Sequence, residues 1–292
     1  MAGAARKRST GEPQVVDRKY ALSIWGMMIA GVVFVYSASY PFCSRPGSDG
    51  VAGNPARLLW GRIEHTMVAL ALMTIVAALR PEWIRKAAKW GLLFTIVLMC
   101  LTFTSRFGAE RNGARRWVRV RPTTFEFQPS ELAKVAFIAF IAAALARKDE
   151  GKETTRKTWR MVAGATGLMV AILMAQRDQG MATIFIVIAL VMAYLAGASK
   201  KWLAGLSVGL FLAGLGWAMC EAYRWKRIMA FLNPEGDMQD TSYHVIRMLV
   251  AVARGGIMGE GLALSEDKWH SLSWPFTDSV FAVTAGELGL FG

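Results

Sequence analysis

Apolar residues in this chain run in blocks, and polar positions gather between the blocks instead of alternating within them. The blocks cover residues 20–36, 66–79, 90–104, 131–146, 159–175, 181–198 and 202–220. A half-buried strand would alternate, and a surface helix would keep one polar face, so continuous blocks of this length read as helices in apolar surroundings. They approach the roughly 20 residues that a bilayer crossing needs. An eighth block opens at Asp278, and the 15 residues from there to Gly292 fall short of a span. The pattern predicts an all-α, polytopic integral membrane protein with seven complete transmembrane helices and the start of an eighth, the chain stopping in or just after that helix. Residues 1–19 form a basic cytoplasmic arm, and 20–292 form a single polytopic membrane domain. The arm, the first block and Ser37-Ala38-Ser39 also fit a signal peptide, but the blocks that follow favour an uncleaved first span.

Composition narrows the class further. With 54% hydrophobic residues, 19% charged residues and three cysteines in 292, the chain is no disordered segment, coiled coil or disulfide-stapled domain. A mean hydropathy of +0.34 agrees with a bilayer as solvent. The net charge of +13 therefore reports topology before it reports a partner such as nucleic acid. With the arm in the cytoplasm, the short basic segments 80–89 and 147–160 and the pair Lys200-Lys201 fall on the same side. Segments 43–64, 105–130, 176–180 and 221–277 fall outside, the last being a large loop between helices 7 and 8.

The 105–130 loop breaks this rule. It carries Arg106, Arg111, Arg115, Arg116, Arg119 and Arg121 and no lysine. Arginine used to the exclusion of lysine fits bidentate recognition of phosphate or carboxylate, with arginines resting on lipid phosphates as the alternative. Cys43, Cys100 and Cys220 suggest no disulfide and are expected as reduced, packed thiols. His65, His244 and His270 stand singly, without the spacing of a metal site. Gly255-Gly256-Ile257-Met258-Gly259-Glu260-Gly261 lacks the Gly-Lys-Ser/Thr ending of a phosphate loop, so its glycines read as close packing.

Ionisable residues in or beside spans cost about 2.5–3.5 kcal/mol each to insert, which makes them functional candidates. Glu131 and Lys134 lie three residues apart on one helix face and can pair, with Ser130 as the helix cap. Asp178 sits in a tight turn, where Gly180 permits the bend and the carboxylate can cap the next helix. Asp278 opens the eighth block on the outer side, either as a cap or as a reactive group. Glu287, nine residues on, lies on roughly the opposite face, so the two acids form no paired-carboxylate site on that helix. One acid beside arginines suits a phosphate-bearing substrate that must lose a proton.

Asn112-Gly113-Ala114-Arg115-Arg116-Trp117, Phe127-Gln128-Pro129-Ser130-Glu131-Leu132-Ala133-Lys134, Asp178 with Gly180, and the stretch from Tyr223 onward resemble the FtsW/RodA/SpoVE (SEDS) family of bacterial cell-wall polymerases. The resemblance covers nearly the whole chain. Ala222-Tyr223-Arg224 and Phe231-Leu232-Asn233-Pro234 look more like the division branch than the elongation branch. The resemblance implies an inverting glycosyltransferase that polymerises lipid II, the undecaprenyl-pyrophosphate disaccharide-pentapeptide, at the outer face of the bacterial cytoplasmic membrane. It places the catalytic aspartate at Asp278, as general base. Its cationic cradle and substrate-binding set would be Arg115, Arg116, Trp117, Glu131, Lys134, Asp178, Arg224 and Arg227.

The implied partners are lipid II, a class B penicillin-binding protein transpeptidase, other division proteins and membrane lipids, with no nucleic acid. No organic cofactor is implied, and a divalent cation is left open. The chain has Phe276-Thr277-Asp278 where the family has His-Thr-Asp, and Arg177-Asp178 where it has Pro-Asp. A lipid II flippase and a non-catalytic scaffold of the division machinery are the competing readings.

Overall fold

The computed structural model describes residues 18–43, 55–104, 107–111, 114–119, 126–151, 154–220, 225–226, 228–229, 232, 242–270, 272 and 279–291. Its elements are α1 (Arg18–Cys43), α2 (Pro55–Ala78), α3 (Pro81–Leu101), β1 (Gly108–Arg111), β2 (Ala114–Arg119), β3 (Glu126–Phe127), α4 (Pro129–Asp149), α5 (Thr155–Ala175), α6 (Gln179–Leu195), α7 (Lys200–Met219), α8 (Tyr243–Gly255), α9 (Asp267–His270) and α10 (Val280–Leu288), followed by a 3₁₀ turn at Gly289–Phe291. Among the described residues, four stretches have the length and apolarity of a span: Lys19–Pro41, Leu59–Ala78, Pro129–Asp149 and Thr155–Ala175. Large apolar side chains stand exposed all along the helices, among them Leu72, Val135, Leu195 and Phe211. In water such a surface would aggregate, so lipid is its solvent.

The helices are longer than their apolar blocks. Segment 43–64 is not all loop, because α2 starts at Pro55, and segment 80–89 is the first half of α3. Pro81 at the first helical position and Glu82 in the first turn start α3 among charged residues. Long basic side chains can ride on a helix end and reach the interface, so charge alone did not mark a loop. The 105–130 loop carries a three-stranded antiparallel sheet in the order β1-β2-β3. The 221–277 loop carries α8 and α9.

The chain divides into two compact units, Val76–Trp217 and the remainder. In the first, α3 buries Ala88, Leu92, Thr95 and Met99, spaced by four and three as one helix face requires. Against that face and its neighbours pack Phe137 and Ile141 of α4, Met169 and Leu173 of α5 and Phe185 of α6, all fully buried. The Phe137 and Phe185 rings lie 5.0 Å apart. Cys100 falls one position off the buried face of α3 and is exposed. Cys220, beyond the end of α7, is exposed too, so neither side chain is packed as expected. The Cys43 side chain lies outside the described residues.

In the second unit, α10 docks on α8 and on the glycine segment by backbone contact. A Cβ on Gly255 would lie 2.2 Å from the Ala285 carbonyl oxygen, and one on Gly259 the same distance from that of Glu287. The amides of Glu260, Gly261 and Leu290 donate to the carbonyls of Gly286, Glu287 and Gly256 at 2.9–3.0 Å. These bonds use carbonyls that a helix end otherwise leaves open. Gly255 and Gly259 thus serve close packing, whereas a Cβ on Gly256 would meet nothing within 4 Å.

Candidate functional site

In the Val76–Trp217 unit, a polar cluster forms around Asp178, the residue that joins α5 to α6. The α5 terminus closes by two reverse bonds, from the Asp178 amide to Leu173 O at 2.9 Å and from the Arg177 amide to Met174 O at 3.0 Å. This pairing requires a left-handed residue between, and Arg177 supplies it at φ 59°. The bend therefore falls at Arg177. Gly180, expected to permit it, lies within the first turn of α6. Asp178 caps α6, its Oδ1 accepting the Met181 amide at 3.3 Å.

Two more groups converge on that carboxylate. Gln128 Nε2 donates to Asp178 Oδ2 at 2.9 Å, and Arg116 Nη1 stands 3.6 Å from Oδ1. Asp178 is only 4% exposed. Gln128 is also the N-cap of α4, with Pro129 following it, so the cap expected at Ser130 lies two residues earlier. Proline needs an extended residue before it, and Gln128 has that backbone at φ −98°, ψ 110°. Ser130 is buried inside the first turn, and its Oγ finds no partner among the described residues.

Arg116 reaches Asp178 because of an irregularity in the sheet. Ala109 pairs with Trp117 and Glu110 with Arg115, so Arg116 is the extra residue of a β-bulge. A bulge re-aims the side chain it carries. Arg116 is half-buried toward the carboxylate, whereas Arg115 and Arg119 are exposed and Trp117 is half-buried. At the entrance of α4, Lys134 Nζ meets Glu131 Oε2 at 2.8 Å, the pair that their spacing predicted. Two residues before Asp178, buried Gln176 donates to Met99 O at 3.0 Å and to Thr102 Oγ1 at 2.9 Å, fastening the turn to the end of α3.

The structure thus gathers Arg116 and Asp178 with Gln128, a neutral residue that the sequence pattern marks only as part of a helix entrance. Arg115 and Trp117 flank the bulge, and Glu131-Lys134 follow Gln128 on α4. Asp278, Arg224 and Arg227 lie outside the described residues. Ser279, the residue after Asp278, is buried and is the N-cap of α10, so that position is not the one weighed for Asp278. Elsewhere, Ser37 Oγ donates to Glu287 Oε1 at 2.7 Å, both side chains being buried. These partners are 250 residues apart, and the sequence signal is that Ser37 is polar at the end of an apolar block and Glu287 is charged within one.

A polytopic helical membrane protein with an arginine-bearing sheet fastened to a helix-joining carboxylate is the class this defines. Residues 18–292 match the family model described as cell cycle protein, FtsW/RodA/SpoVE. The chain is 31% identical over 266 residues to a probable peptidoglycan glycosyltransferase FtsW of Geobacter sp. strain M18, covering 90% of this chain and 70% of that one. It is equally identical to stage V sporulation protein E of Bacillus subtilis strain 168, over 91% and 71% of the two chains. Among solved structures, one of a peptidoglycan synthase complex that coordinates polymerization and crosslinking superposes with a TM-score of 0.63 at 24% identity, over 92% of this chain and 72% of that chain. The rod shape determining protein RodA of Thermus thermophilus superposes at 0.53 and 21%, over 92% and 82%. The chain belongs to the FtsW/RodA/SpoVE family.

Proposed function

We propose that this protein is a peptidoglycan glycosyltransferase, polymerising lipid II into glycan strands at the outer face of the cytoplasmic membrane during division. The observation that carries the reading is 31% identity, across nine-tenths of the chain, to a protein named for that activity. The geometry of the arginine sheet supports it. The Arg116 guanidinium lies where a helix N-terminus and a tight turn meet, a surface suited to pyrophosphate.

In the proposed mechanism Asp278 takes the proton from an acceptor sugar hydroxyl, and that oxygen attacks the anomeric carbon of the donor and displaces the lipid pyrophosphate. Arg115, Arg116, Lys134, Arg224 and Arg227 offset the departing charge, and Trp117 offers a face for a sugar or lipid head. Asp178 acts here as a positioning residue. Its carboxylate is occupied by Gln128, the Met181 amide and Arg116, so it holds Arg116 on the bulge rather than meeting substrate. Seven spans, a cytoplasmic N-terminus and a class B penicillin-binding protein partner complete the proposal. The partner is supported by the crosslinking complex to which the fold is similar.

The test is strand synthesis from purified labelled lipid II. Asp278→Asn keeps the size of the side chain but removes the basic oxygen, so the rate should fall by about 10²–10⁴ while membrane accumulation persists. Polymerisation at the unmodified rate would withdraw Asp278 from catalysis.

A further inference from the structure

An apolar groove on the Val76–Trp217 unit lies away from the arginine sheet and plays no part in the chemistry above. Its volume is about 680 Å³, within the range of small-molecule sites. It runs between α5, α6 and α7, walled by Ala163, Gly167 and Val170 of α5, Ala189 of α6, and Leu206 and Leu210 of α7. The cleft stays open because small residues face it. A Cβ placed on Gly167 would meet nothing within 4 Å. Of all α7 only Leu203 is buried among the described residues.

One end of this groove is cationic. Arg156 and Arg160 line it, four residues apart on the same face of α5 as Ala163 and Gly167. Neither arginine is ion-paired to an acid among the described residues. Of the acids described at that end, Glu150 takes a 2.8 Å bond from Arg85 Nη2, and Asp149 lies 4.0 Å from Lys148. Lys148 adds a third cation, 5.4 Å from the centre of the Trp159 ring. Trp159 and Trp202 line the same end, where interfacial aromatics belong.

We infer that this groove is a binding site for an anionic glycerophospholipid of the cytoplasmic leaflet, its phosphate held by Arg156 and Arg160 and an acyl chain lying along Gly167. Charge complementarity selects the occupant. Any glycerophospholipid offers a phosphate diester to the paired N–H groups, but a zwitterionic headgroup brings an ammonium against the cationic end, whereas an anionic headgroup leaves its charge to offset the guanidiniums. The leaflet follows from the basic character of segment 147–160 and of Lys200-Lys201, which mark the cytoplasmic ends of these helices.

The test uses the full chain in nonionic detergent, titrated with phosphatidylglycerol or phosphatidylcholine brominated in the acyl chains, with tryptophan fluorescence as readout. Bromine quenches nearby indoles, and the part of the signal absent from a W159F/W202F variant reports the groove. That part should saturate at a mole fraction of phosphatidylglycerol at least tenfold lower than of phosphatidylcholine, since a basic residue near an anionic lipid contributes about fivefold in affinity. R156Q/R160Q should bring the two lipids together. G167L keeps both arginines, favours the helix and fills the cleft, so it should remove saturable quenching by either lipid. Should the double glutamine variant fail to accumulate, G167L alone decides. Equal response to the two headgroups, or saturable phosphatidylglycerol quenching that survives G167L, would overturn the assignment.

Discussion

Replacing Asp178 by alanine should destabilise the membrane-embedded unit by about 2.5–4.5 kcal/mol. Loss of the α6 cap at the Met181 amide contributes about 1 kcal/mol. The 2.9 Å bond from Gln128 to a buried carboxylate contributes about 1.5–3 kcal/mol, because the amide is left unsatisfied beside a surface that is only 4% exposed. The Arg116 contact is longer, at 3.6 Å, and that side chain is 35% exposed, so screening holds its share below about 0.5 kcal/mol. Asp178→Asn keeps the cap and one acceptor and should cost about 1–1.5 kcal/mol. Reversible unfolding in mixed micelles with rising dodecyl sulfate, followed by circular dichroism, measures both variants. A double-mutant cycle with Gln128→Ala isolates the central bond, with a coupling of about 1.5 kcal/mol or more expected. A cost below about 1 kcal/mol for Asp178→Ala, or a coupling near zero, would show that the cluster does not fasten the sheet to the α5–α6 turn.

Arg115→Lys should slow lipid II polymerisation about tenfold, because the ammonium cannot reproduce a planar fork on pyrophosphate. Arg116→Lys should slow it as well, with less than about 0.5 kcal/mol of stability lost across the 3.6 Å contact to Asp178; an unmodified rate would deny the bulge its role. Gly259→Ala should cost at least about 2 kcal/mol in the same unfolding assay, as φ is +76° and the new Cβ would press on the Glu287 carbonyl. Accessibility tags near Asp149 and Asp237 should be reached from opposite sides of the membrane, and labelling from one side only would redraw the topology.

The sequence by itself determined the solvent and the architecture. Continuous apolar blocks have one stable outcome in lipid, a helix that satisfies its own backbone, and that logic needs no knowledge of neighbours. It also determined local pairs, such as Glu131 with Lys134, because a spacing of three on a helix fixes proximity. The tertiary structure decided the rest. Helix starts at Pro55 and Pro81 lie among polar residues, where the period of apolar positions is silent. The bend at Arg177 instead of Gly180 is set by the bonds that close α5, and glycine's permissiveness does not oblige it to be used. Arg116 differs from Arg115 only through a one-residue bulge against β1, a matter of strand register that adjacent identical residues cannot reveal. Gln128 meets Asp178, and Ser37 meets Glu287, across 50 and 250 residues. Such contacts arise when packed elements bring distant polar groups into one low-dielectric site, where each must find a partner or bear the full cost of burial.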